Sequence, residues 1–403
     1  MISANPSRLE RVLSSPKSAG AAMFGAMLLA FVWVNSPYQS HYELVHHAPM
    51  SIQVGTLALA KPMISWINEG LMVFFFFLIG LELKREVYEG QLSSLRQVAL
   101  PAIAALGGMA VPAAIYLAFN GSDPVAAKGW AIPAATDIVL ALALLALLGS
   151  RVPISLKVFL TALAIFDDFG TLVIIAVFYS GELSLFAMSL ALAGIVAALL
   201  LNRMRVTHTA AYALVGVFLW VTLLKSGVHA TLAGVALALC IPMRVNGKEI
   251  LKTIEHNLSP WVAFGVVPVF AFFNAGIELG GNALESLLEP ISLGVILGLF
   301  LGKQLGVFAS ARVAVWMGLA SLPPGVSWWQ LYGVSLLAGV GFTMSLFIAA
   351  LAFNEPGAIL ATNLSIIVGS LLSGAAGMMV LHLACQKNDP NTDDRSVAKG
   401  NPA

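Results

Sequence analysis

LKVFLTALAIFDDFGTLVIIAVFYSGE, residues 156–182, is an apolar run with two adjacent aspartates, Asp167 and Asp168, at its centre. The flanking charges are Lys157, ten residues before Asp167, and Glu182, fourteen after Asp168. At about 1.5 Å rise per helical residue, each separation is about half of a ~30 Å hydrocarbon core. Carboxylates at that depth are costly and face a bundle interior or a water-filled cavity. The run therefore predicts a transmembrane helix carrying an ion or proton site. The plainer alternative is a structural pair satisfied by neighbouring helices.

Composition agrees with a membrane setting. The chain has 403 residues, of which 59% are hydrophobic and only 10% charged, against about 25% charged in soluble domains. The class is an all-α polytopic membrane protein, and a net charge of +1 gives no sign of nucleic-acid binding. Cys240 and Cys385 suggest neither a disulfide nor a metal framework. Residues 8–35 have the basic start and apolar body of a signal peptide, but no clear cleavage site precedes Pro37, so an uncleaved first helix is expected.

Apolar runs near 19–35, 63–83, 98–119, 125–148, 155–179, 184–202, 209–224, 227–243, 260–278, 290–311, 331–353 and 358–384 predict twelve spans, with both termini on one side. The 21 Lys and Arg residues test that count. On the side of the termini lie Arg8, Arg11, Lys17, Lys84, Arg85, Arg96, Arg151, Lys157, Arg203, Arg205, Arg244, Lys248, Lys252, Arg312, Lys387, Arg395 and Lys399. Only Lys61, Lys128 and Lys225 fall opposite, and Lys303 lies inside a span. This asymmetry places both termini in the cytoplasm. Residues 1–18 become a cytoplasmic segment. Residues 41–62, too polar to span, become a periplasmic loop with a short hairpin, the alternative being an irregular loop. Residues 386–403 become a disordered cytoplasmic tail.

Asp137 and Lys303 are also deep within spans, so three acids and one base share the midplane. Each is costly alone, which argues that they meet in one interior site. One base cannot neutralise three carboxylates, so protons or a bound cation must supply the rest. Asp167 and Asp168, successive on a helix, cannot fully share a face; Thr161, Ala164, Asp168 and Thr171 form one small or polar stripe. With Thr136 beside Asp137, the available oxygens suit a hard cation such as Na⁺ or Li⁺. No His or Cys cluster has ligand spacing.

The fourth span contains IPAATDIV, with Pro133 four residues before Asp137; the eleventh contains LAGVGFTMS, with Gly339 and Gly341 near its middle. These spans run in opposite directions, as do spans three and ten. Interrupted helices in corresponding positions of inverted-topology repeats mark a midplane ion site. The expected fold therefore has two broken helices crossing near the midplane. Asp137 would balance facing positive helix ends and Lys303 negative ones. Otherwise, the glycines would only permit tight helix packing. Residues 98–180 and 290–385 then form the ion-transport core, and 19–88 with 184–279 the interface and scaffold.

The segments WAIPAATD (130–137), LAIFDDFG (163–170), KSGVHATLAG (225–234), FAFFNAG (270–276) and GVGFTMS (339–345) resemble the NhaA-type bacterial Na⁺/H⁺ antiporter family over residues 8–385. That family is itself a known inverted-repeat transporter, so the two arguments are not independent. The resemblance implies Asp168 as the main cation ligand, with Asp167 and Thr136 close by. It implies Asp137 as a compensator of helix dipoles, and Lys303 paired with Asp167 in the absence of sodium. Glu82, Lys84, Arg85, Glu86, Glu255 and His256 match its cytoplasmic pH-sensing cluster, and His229 a residue linked to pH response. For Lys84 and Arg85 the plainer alternative is positive-inside anchoring; for His229, a satisfied interhelical histidine. The hairpin matches a homodimerisation element, and no cofactor is implied. Two departures stand out: GKQLG has Gln304 where the family pattern has Pro, and Phe169 replaces Leu.

The expected activity is electrogenic, pH-regulated export of Na⁺ or Li⁺ in exchange for protons across the inner membrane. Cation and protons compete at the aspartates during alternating access. A sodium-coupled solute symporter on the same fold is the runner-up, although the spans offer few polar groups to recognise a solute. An intramembrane aspartyl protease also needs buried aspartates, but GVGFT lacks the acid of its G-x-G-D motif.

Overall fold

The computed structural model describes residues 15–54, 57–90, 95–280 and 285–386. Most of the N-terminal segment, Gly55 at the hairpin tip and the tail from Lys387 lie outside the described residues. Helices dominate. They are α1 (Pro16–Val34), α2 (Gln39–His46), α3 (Met63–Glu89), α4 (Leu95–Asn120), α5 (Ile138–Leu147) and α6 (Ile154–Phe178), then α7 (Leu185–Arg203), α8 (Thr209–Leu224), α9 (Leu232–Cys240) and α10 (Ile250–Asn274). After these come α11 (Pro290–Trp316), α12 (Trp328–Leu337), α13 (Phe342–Ala352) and α14 (Pro356–Gln386). A 3₁₀ segment, Ala126–Ala134, leads into α5.

Among the described residues, nine segments are long and apolar enough to cross a membrane, and α12 with α13, bent by 42°, forms a tenth. The chain is thus an integral membrane protein. All twelve predicted runs contain helix, but α8 and α9 are short: 16 and 9 residues span roughly 24 and 14 Å. Between them Gly227 adopts φ +85°, open to glycine at little cost, and a Cβ there would strike the Glu182 carbonyl. That turn is the physical content of KSGVH.

β1 (Pro49–Val54) pairs antiparallel with β2 (Leu57–Pro62), with Ile52 opposite Leu59. The hairpin is therefore shorter than residues 41–62. Residues 41–46 belong to helix α2, whose Tyr42 hydroxyl donates to the Phe272 carbonyl of α10 at 2.8 Å.

One buried apolar cluster, including Leu156, Leu160, Val307, Leu331 and Leu337, draws only on α4–α6, α11, α12 and α14 and the short links beside them. A second, including Leu81, Leu219, Leu237 and Leu251, draws on α3 and residues 198–251. A third mixes both sets, with Phe76, Phe270 and Phe347 in contact, and seals one against the other.

Candidate functional site

Asp167 and Asp168 fall at the middle of the 25-residue α6. That helix runs unbroken through Gly170 and the β-branched residues Thr171, Val173, Ile174 and Ile175, so its backbone is self-satisfied and only side chains present polarity to the interior. Asp167 is fully buried and Asp168 is 3% exposed. As expected of successive helical positions, their partners differ. The Asp167 Oδ2 accepts from the Lys303 Nζ at 2.5 Å and from the Thr136 Oγ1 at 2.5 Å. The Asp168 side chain forms no hydrogen bond among the described residues. One oxygen of each carboxylate, Asp167 Oδ1 and Asp168 Oδ1, is buried without a partner. Buried carboxylate oxygens are normally satisfied, so two such orphans on successive residues point to a proton or cation that completes them.

Lys303 follows a widened, π-helical turn, Gly298–Gly302, in α11. Such turns rotate the residues after them relative to a regular helix and cluster at functional positions. α4 and α11 meet backbone to backbone: a Cβ on Gly302 would lie 2.7 Å from the Pro112 Cα, and one on Gly306 2.8 Å from the Gly107 carbonyl carbon. With glycines on both helices at this contact, the backbones come close, and the fully buried lysine reaches Asp167 of α6. Among the described residues its side-chain hydrogen bond goes to Asp167 and none goes to a carbonyl at a helix end.

The two interrupted spans touch at their breaks. In the fourth, the 3₁₀ segment ends at Ala134 and the chain runs extended through Ala135 to Asp137. Pro133 packs where Gly298 leaves room; a Cβ there would lie 2.7 Å from the proline Cβ. In the eleventh, the break covers residues 338–341. The Asp137 N–H donates to the Val340 carbonyl at 2.7 Å, and the Thr136 hydroxyl to the Ala338 carbonyl at 2.8 Å.

The Asp137 carboxylate lies between two helix N-termini. It caps α5, accepting from the Leu140 N–H at 3.0 Å, and accepts from the Thr343 N–H at 3.0 Å and the Thr343 hydroxyl at 2.5 Å at the start of α13. Negative charge is favoured there by both helix dipoles. Ser370 of α14, not singled out from the sequence, accepts from the N–H groups of Gly341 and Phe342, each at 3.2 Å. Thr343 was also missed. Its only sequence signal was a hydroxyl within GVGFTMS, which became specific once the break aimed it at Asp137.

Gly339 and Gly341 do not have positive φ. They are small because the breaks are crowded: a Cβ on Gly339 would strike the Leu299 carbonyl and lie 2.6 Å from the Ser373 Oγ. Close packing and the interrupted helix are thus one feature rather than alternatives.

The seven residues matched to pH response separate into distinct places. Arg85 donates from Nε to both Glu255 oxygens, at 3.0 and 2.9 Å, and from Nη1 to Glu86 at 2.5 Å. Glu82 is within electrostatic reach of this group and also of Asp168. A cavity of about 240 Å³ runs beside them, lined by Glu86 and the α6 residues Lys157, Val158, Thr161 and Ile165. Lys84 points elsewhere, donating to the Leu239 and Ile241 carbonyls at the end of α9. His256 is exposed and forms no hydrogen bond or ion pair among the described residues. His229 lies toward the hairpin end, 2.8 Å from the Thr231 Oγ1 and edge-on to Phe347. An unexpected ion-pair network, Arg244 and Lys252 with Glu89 and Glu249, ties the end of α3 to the start of α10.

Among the described residues, no group of three or more His, Cys, Asp and Glu is arranged to hold a metal ion. The site combines two adjacent carboxylates, a hydroxyl and a competing ammonium.

A family model described as Na⁺/H⁺ antiporter 1 matches residues 10–381. The chain is 63% identical over 378 residues to the Na(+)/H(+) antiporter NhaA of Maricaulis maris, covering 94% of both chains. It is 50% identical to the protein of that name from Sulfurovum sp., over 93% of this chain and 97% of the relative. To the one from Pseudomonas fluorescens Pf0-1 it is also 50% identical, over 95% and 98%. With a model match across nearly the whole chain and relatives this similar, the protein belongs to the Na⁺/H⁺ antiporter 1 family, a family of transporters and not of enzymes.

Proposed function

We propose that this protein exports Na⁺, or Li⁺, in exchange for protons across a bacterial inner membrane, with both termini in the cytoplasm. The observation that carries the proposal is the pair of adjacent, buried carboxylates with unpartnered oxygens, one of them held by Lys303. Protons or Na⁺ occupy Asp167 and Asp168, but not both together. Na⁺ takes the Asp168 oxygens with help from Asp167 and Thr136, and Lys303 must release Asp167 for this to happen. Asp137 stays with the two helix N-termini and keeps the breaks in register.

Twelve crossings are taken, α8 and α9 included, so that α4 to α6 and α11 to α14 form two inverted repeats around the breaks. Residues 19–88 and 184–279 serve as scaffold. The cavity beside Glu86 and Thr161 is the cytoplasmic entry to Asp168. The Arg85, Glu86 and Glu255 group, with Glu82 between it and Asp168, reports cytoplasmic pH to the site.

Two protons returned per Na⁺ exported move one net charge per cycle. At 100 mV, one charge is worth about 2.3 kcal/mol, which sustains about a fiftyfold Na⁺ gradient. Antiport in everted membrane vesicles tests the scheme, with NaCl then KCl added between about pH 6.5 and 8.5. Na⁺ and not K⁺ should collapse an imposed pH gradient, more steeply at higher pH, and clamping the potential should change the rate. Asp168→Asn should insert normally and lose exchange; wild-type activity in that variant sinks the scheme. Uptake that requires an added organic solute would instead favour a symporter.

A further inference from the structure

Gln304 stands immediately after Lys303, and its side chain is engaged at both ends. The Nε2 donates to the Phe300 carbonyl, inside the widened turn, at 2.8 Å, and the Oε1 accepts from the Tyr332 hydroxyl at 2.6 Å. The side chain is buried. At about 100° per residue, three successive positions of α11 face three elements: Gly302 meets α4, Lys303 meets α6 and Gln304 meets α12. Gln304, Phe308 and Arg312 form one stripe along α11. It lies against Tyr332 and Trp328, with the Phe308 ring 5.3 Å from Tyr332 and Arg312 4.3 Å above Trp328. The Gln304 hydrogen bond is the last rung of this seam before the site.

These contacts close a circuit. Lys303 pairs with Asp167, and the Thr136 hydroxyl, with its single proton, lies within hydrogen-bond distance of both Asp167 and the Ala338 carbonyl at the end of α12. α12 carries Tyr332, and Tyr332 returns to Gln304, the neighbour of Lys303. We infer that Gln304 is a positioning residue which, through the Tyr332 hydroxyl, ties the Lys303 turn to the first half of the broken span and thereby sets how readily Na⁺ displaces Lys303 from Asp167.

The inference rests on the proposed exchange at Asp167 and Asp168. The charged groups around Lys303 are Asp167 and Asp168 of α6, with Asp137 and Glu82 acting in turn on Asp168. α4 presents Gly108 to it. Loosening the circuit weakens the lysine's hold on Asp167, so Na⁺ competes at lower pH.

The test is Na⁺/H⁺ exchange in proteoliposomes by Gln304→Leu, Tyr332→Phe and the double variant, with inserted protein quantified. One neutral hydrogen bond is worth about fivefold, so the apparent KM for Na⁺ at acidic pH should fall by about fivefold and the half-activation pH should move about 0.7 unit acidic. Maximal rate should hold, and the double variant should shift no further than Gln304→Leu alone, because Tyr332→Phe breaks a link that Gln304→Leu has already removed. Tyr332→Phe removes only a hydroxyl and guards against a folding fault. An unmoved profile, an alkaline shift, a fall in rate alone or additive shifts in the double variant would each overturn the inference. Asp168→Asn runs alongside: if it still exchanges, the underlying site is wrong; if it is dead while Gln304 and Tyr332 variants keep the wild-type profile, only the Gln304 inference fails.

Discussion

Thr343 donates to Asp137 from both its N–H and its hydroxyl, so the hydroxyl can be removed without losing the backbone contact. A hydrogen bond to a charged acceptor is worth about 1.5 kcal/mol or more, so Thr343→Val should raise the apparent KM for Na⁺ about tenfold. Vesicle assays across Na⁺ concentrations check this, and an unchanged KM would show that Asp137 is held well enough by backbone alone. On the same scale, losing Lys303 from its buried pair with Asp167 would be costly. Removing one partner of a buried pair leaves the other charge uncompensated at a cost of about 3–5 kcal/mol. A protein that must release this pair in each cycle needs the replacement charge, Na⁺ or a proton, to arrive as the lysine leaves.

The two interrupted spans behave as one element because each supplies what the other lacks. Val340 and Ala338 offer carbonyls that the break frees from helical bonding, and Asp137 N–H and Thr136 Oγ1 take them. The crowding at the crossing gives a prediction. Gly339→Val would drive a side chain into the Leu299 carbonyl and Ser373, and overpacking of this kind costs about 1–3 kcal/mol. The detergent-solubilised protein should melt several degrees lower. Gly357→Ala, at the start of α14 with nothing within 4 Å of the added Cβ, should leave the melting temperature unchanged or slightly raised. Equal losses in both variants would remove crowding as the explanation.

At the scale of the whole molecule, the hairpin joins α2 to α3. Its sheet has only two strands, so each has an edge without a strand neighbour, and Ile52 is 51% exposed. Two-stranded hairpins are marginal alone and open edges invite another strand. Ile52 pairs with Leu59, and the base is pinned by the Lys61–Glu69 ion pair. We expect two copies to meet through this hairpin: Ile52→Cys protein should cross-link to a dimer in membranes, while the exposed His256→Cys at the far end should not. Monomer alone from both would refute the pairing. The sequence by itself determined the membrane class, and it placed Asp137, Asp167, Asp168 and Lys303 deep within apolar runs. In hydrocarbon, an unpaired charge or unsatisfied backbone group is too costly to leave to chance, so each leaves a mark in the local pattern. Only the tertiary structure decided that Asp137 takes its hydrogen bonds from Leu140 and Thr343, that Lys84 and His256 stand apart from Arg85 and Glu255, and that Gln304 reaches Tyr332. Those outcomes depend on rotations of about 100° per residue and on a π-helical turn before Lys303. They reorient side chains between helices distant in sequence and leave no periodic signal along the chain.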